Sequence, residues 1–125
     1  MFDLTAEEAR LLLQVALMAV GANRFVSAAK LFAVLERFRP DSPEVAAGKA
    51  VALISAHRFA ECLEYLDAEA LARFPGSAML QAFKGMALVR MERAQEAREP
   101  LAIASSQTQD PAAAQLARDL LKDIQ

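Results

Sequence analysis

At 125 residues with 55% apolar content, the chain is long enough to bury one core and too short for two independent ones. Its 14 basic and 16 acidic residues leave no basic surplus, and no basic run with interleaved aromatics makes a nucleic-acid face, so nucleic acid is excluded as an expected partner. Ala and Leu supply most of the apolar content and β-branched residues are few, which favours helix.

The opening MFDLTAEEAR carries acids where a secretory leader carries bases. The apolar run at 11–20 is interrupted by Gln14 and is half of the roughly 20 residues a membrane span needs. A protein with no membrane insertion, retained in the cytoplasm, is therefore expected. Thr5 and Glu8 form a capping box that starts a first helix, and a turn follows at 21–24. A second helix begins at Phe25, and the Pro40-Asp41-Ser42 stretch closes it. Ser42-Pro43 starts a third helix, since a capping side chain followed by proline suits a helix N-terminus. Further turns fall at 55–58 and 91–93, Pro75-Gly76-Ser77 separates the helices between them, and Asp110-Pro111 opens the last one. That last segment, 112–124, is amphipathic, with Leu116, Leu120 and Leu121 on one side. No alternating β pattern occurs, so the expected class is all-α.

The chain repeats itself. Arg24 and Phe25 recur as Arg58 and Phe59, 34 residues on. At a shift of 35, Ser42 meets Ser77, Lys49 meets Lys84, Leu53 meets Leu88, Arg58 meets Arg93 and Leu66 meets Leu101. The expected organisation is one domain over 1–125, with helix-pair units at 9–42, 43–77 and 78–110 and a closing helix at 112–124.

These units resemble tetratricopeptide repeats, helical hairpins of about 34 residues. The family wants a small residue at its eighth position, where Ala16, Ala50 and Gly85 stand, and another at its twentieth, where Ala28, Cys62 and Ala97 stand. Small side chains there let the two helix backbones approach. Phe25 and Phe59 fill the aromatic seventeenth position, Phe32, Leu66 and Leu101 the bulky twenty-fourth, and Pro40 the closing proline. Departures are the absence of tryptophan or tyrosine from the usual aromatic places of the first helices, Ala94 at the third aromatic position, lysines at 49 and 84 in place of a core leucine, and Pro100 within a second helix. The lysines are expected to pack their stems on apolar surface with the charges outward, and Pro100 to lie in or just beyond the first turn of its helix or to kink it. The resemblance implies a right-handed α-solenoid of three hairpins, capped by the C-terminal helix.

Catalytic chemistry has little to work with. One histidine, His57, falls in a turn, and one cysteine, Cys62, reads as a small core residue. A single His and a single Cys do not furnish a typical zinc set, and the four glycines are too scattered for a phosphate loop. The chain is expected to be no enzyme, with no metal or other cofactor.

The resemblance also supplies a binding address, because the first helix of each unit lines the concave face. Transferred here, it designates Leu13, Leu17 and Val20, then Ala47, Val51 and Ile54, then Ala82, Met86 and Val89, with Met79 beside them. All are apolar, and a contiguous exposed apolar patch usually marks an interaction surface. Leu13 and Leu17 stand where carboxylate-clamp members carry a basic residue and an asparagine, so that use is not expected. An amphipathic helix laid into an oily groove fits better. In size, unit count and groove chemistry the chain is similar to the small repeat chaperones of bacterial type III secretion, which implies a needle or other secreted subunit as partner and a small helical co-chaperone beside it. A homodimer or larger assembly that buries the concave face is the competing expectation.

Overall fold

In the computed structural model the described residues are 3–124; residues 1, 2 and 125, the ends of the expected 1–125 span, lie outside them. The elements are α1 (Ala6–Gly21), α2 (Phe25–Phe38), α3 (Pro43–Ser55), α4 (Phe59–Tyr65), a π-helical segment (Leu66–Ala70), α5 (Leu71–Arg73), α6 (Ala78–Arg90), α7 (Ala94–Ser105) and α8 (Pro111–Asp123). Because α4, the π segment and α5 run on without a break, the described residues hold seven helices and no strand.

The helix starts follow side-chain chemistry. Thr5 Oγ1 accepts from the Glu8 amide at 3.1 Å while the Thr5 amide donates to Glu8 Oε1 at 3.0 Å, which completes the capping box of α1. Ser42, Ser77 and Asp110 each accept from the amide three residues on, at 3.1–3.2 Å, and so cap α3, α6 and α8. α2, α4 and α7 start differently. Each follows a tight turn in which a left-handed residue, Asn23 (φ 61°), His57 (φ 59°) or Glu92 (φ 60°), precedes an arginine. The amides of Asn23, His57 and Glu92 donate to the carbonyls of Val20, Ile54 and Val89 at 2.9–3.0 Å, so the turns satisfy carbonyls that the helix ends would leave open.

The contacts gather into two compact units, Met1–His57 and Arg58–Gln125. Their boundary falls in the turn between α3 and α4, inside the span 43–77. In the first unit α1, α2 and α3 pack pairwise around Ala9, Ala16, Ala28, Phe32, Leu35, Val45 and Ala52. Small residues on α1 face large ones on α2, and Phe32 seats on Gly48 of α3. Arg39 Nη2 donates to the Leu4 carbonyl at 2.7 Å and holds the segment before α1 to this unit. In the second unit α6 packs with α7 and α8 around Ala82, Leu88, Ala97, Leu101, Ala104 and Ala117. Leu116, Leu120 and Leu121 of α8 pack on that cluster, so the amphipathic side read from the sequence is its buried side.

The π segment accounts for the change of shift from 34 to 35. Fully buried Phe32 corresponds to fully buried Leu66 at 34 residues, whereas buried Leu35 corresponds to buried Ala70, and Pro40 to Pro75, at 35. The extra residue therefore lies between Leu66 and Ala70, and the helix absorbs it by widening to i→i+5 bonding. Pro100 is buried in the second turn of α7, just beyond the first, with no N–H to offer the Glu96 carbonyl one turn back.

Candidate functional site

The positions designated for the groove divide between the two compact units. In the first, Leu13, Leu17 and Val20 project from α1 and Ala47, Val51 and Ile54 from α3, two helices in direct contact. Leu17 is 41% exposed and the other five are half-buried. Leu13 and Val20 rest on the core cluster with part of their surface and open onto cavities with the rest. Leu13 lines a cavity of about 330 Å³ with Ala6, Ala9, Arg10, Arg39 and Val45, and Val20 lines one of about 170 Å³ with Asn23, Phe25, Ala52 and Ala56. Side chains that are part core and part wall are already held in place by packing, which suits them to receive an apolar anchor at small entropic cost.

In the second unit the four α6 positions part company. Ala82 is fully buried in the cluster that includes Ala117 of α8, and Val89 packs on that cluster beside Leu116 and Leu120. This corrects the expectation for Ala82: a side chain enclosed by the chain's own C-terminal helix offers nothing to a partner. Met79 and Met86 stay half-buried and retain surface.

The two lysines at unusual positions are both paired. Lys49 Nζ lies 2.9 Å from Glu36 Oε1, and Lys84 Nζ lies 2.8 Å from Asp67 Oδ1. Their charges are thus matched within the chain. Asp67 belongs to the π segment, so in the second unit the inserted turn carries the acid. Cys62 is fully buried, and burial pushes its thiol up to about 12, which keeps it protonated and poorly nucleophilic. His57 occupies a left-handed turn position whose conformation shapes the hairpin. Among the described residues, no three or more His, Cys, Asp or Glu side chains gather in a way that could hold a metal ion, and no helix is long and apolar enough to cross a membrane.

Sequence reasoning overlooked the most exposed large apolar side chains among the described residues. Leu11, Val15 and Met18 on α1 are 57%, 50% and 72% exposed, and Val26 on α2 is 66% exposed. Their 4–3 spacing on α1 was a readable signal. The repeat register directed attention to Leu13, Leu17 and Val20 on another side of the same helix.

No family model, no curated protein and no solved structure matches this chain.

Proposed function

We propose that the protein is a non-catalytic binding module of tetratricopeptide-like hairpins that holds an amphipathic helix against apolar positions of its first-type helices. The observation that carries this reading is the state of Leu13, Leu17, Val20, Val51 and Ile54: apolar, on contacting helices, and partly exposed. Burying such surface under a partner helix is favourable at about 25 cal/mol per Å². Support for the repeat architecture comes from the three left-handed turn residues, spaced 34 and 35 apart, each followed by arginine. Within this reading the role is that of a bacterial cytoplasmic chaperone of type III secretion that shields the polymerising helix of a needle subunit.

The test is co-expression with candidate needle subunits, followed by titration of the purified chain with a labelled C-terminal helix peptide. A 1:1 complex whose affinity falls at least tenfold in Leu17→Glu and Val51→Glu supports the proposal. Absence of any complex across the candidates, or a complex indifferent to both substitutions, overturns it.

A further inference from the structure

A second surface lies on α1 away from the groove positions. At 100° per residue, Leu11, Val15 and Met18 fall within an arc of about 60°, roughly opposite the buried Ala9 and Ala16. They are separated by four and then three residues, and the same spacing continues to Glu8 on one side and to exposed Ala22 on the other. This is the narrow a/d seam of a helix pair, not the broad stripe of a helix buried against a domain core.

We propose that this seam pairs with a second copy of the chain, α1 against α1, antiparallel about a two-fold axis. Charge decides both the occupant and the direction. The seam begins among exposed Glu7 and Glu8 and ends just before exposed Arg24. In a parallel pair the acids would face acids and the two helix dipoles would align. Reversal of one copy sets Glu7 and Glu8 beside the partner copy's Arg24 end, and the two-fold makes that contact twice. With Val15 opposite Met18 of the other copy, Leu11 comes opposite Ala22, where Ala19, Gly21 and Ala22 let a large side chain approach closely. A contact of three large apolar side chains per copy stands at the low end of specific interfaces, so the pairing is micromolar or weaker and reversible. It does not rest on the groove reading, which uses other side chains.

Sedimentation velocity on the full chain, from about 5 μM to about 500 μM, reads the association directly. The expected result is a mass that climbs from 13.6 kDa toward twice that value. Met18→Glu and Val15→Glu are expected to weaken the dimer at least tenfold with helix content unchanged by circular dichroism, and Met18, the more exposed, serves if the other variant misfolds. Arg24→Glu and Glu7→Arg are each expected to weaken it severalfold, and the double variant to restore it. Mixed Val15→Cys and Met18→Cys chains should cross-link to each other in preference to either with itself. A monomer at every concentration, a dimer that survives both glutamates, one abolished by Leu17→Glu instead, or self-linked Val15→Cys would each overturn the proposal.

Discussion

Phe32 of α2 seats its ring on Gly48 of α3: a Cβ built on that glycine would lie 2.6 Å from the ring's Cε1. Leu101 of α7 occupies Gly85 of α6 in the same manner and still more closely. Phe32 and Leu101 are among the largest fully buried side chains of their units, and each is accommodated because one neighbour has no side chain.

Helix propensity alone says that Gly→Ala stabilises by about 1 kcal/mol. At Gly48 and Gly85 the overlap with a buried ring or branched side chain outweighs that gain, and a net loss of about 1–3 kcal/mol is expected. Gly21, the last residue of α1, has nothing within 4 Å of its Cβ position, so Gly21→Ala is expected to stabilise by up to about 1 kcal/mol. Urea denaturation of the three variants checks the sign. A stabilised Gly85→Ala would show that Leu101 can yield.

Glu92 sits at φ 60°, where an L-residue without a short polar side chain is disfavoured by about 1–2 kcal/mol. Glycine removes that strain and returns part of it as chain entropy, so Glu92→Gly is expected to raise stability by about 0.5–1 kcal/mol. Thermal melts compare it with Asn23→Ala, where the opposite sign is expected because asparagine already tolerates this conformation.

Deletion of exposed Ala68 should return the π segment to α-helix and leave Leu66 and Ala70 each in its buried register, with a change below about 1 kcal/mol. Deletion of Glu64 two residues before Leu66 has a different outcome. It drives Asp67 toward the fully buried place of Leu66, which is expected to cost more than about 2 kcal/mol. Equal losses in the two deletions, measured by denaturant midpoint, would count against the insertion reading.

Acid should weaken the fold through two identifiable carboxylates. The Thr5 amide and hydroxyl hold the Glu8 carboxyl below its ordinary 4.5, and hydrogen bonds from Arg93 hold that of Glu96 below it. A folded-state pKa that is depressed means stability present above 4.5 and lost as pH falls through the lower folded values. Glu8→Gln keeps the capping geometry without the titration, and Glu96→Gln removes the ion pair. In both variants the melting temperature is expected to fall less steeply than in the parent between neutral pH and pH of about 3. An unchanged acid slope in both would remove this account.

Much of this architecture could be read from residues alone because its causes are local. Thr5, Ser42 and Asp110 cap amides only three residues away, and the turn at each hairpin depends on one backbone conformation. Even the change of shift from 34 to 35 was present in the letters. What the letters lacked was where the surplus residue goes: Leu66 and Ala70 both had to be buried, and that demand of packing placed it in a π turn. The surfaces were settled the same way. Ala82 looked like Ala47 in the repeat register, yet Ala82 is buried in the cluster that Ala117 of α8 shares, whereas Ala47 keeps part of its surface. Leu11, Val15 and Met18 were as apolar as Leu12 and Leu13, and only the directions of α2 and α3 decided which of them met a core and which met water. Local hydrogen bonding specifies helices and turns one by one, whereas burial belongs to faces that distant parts of the chain must cover.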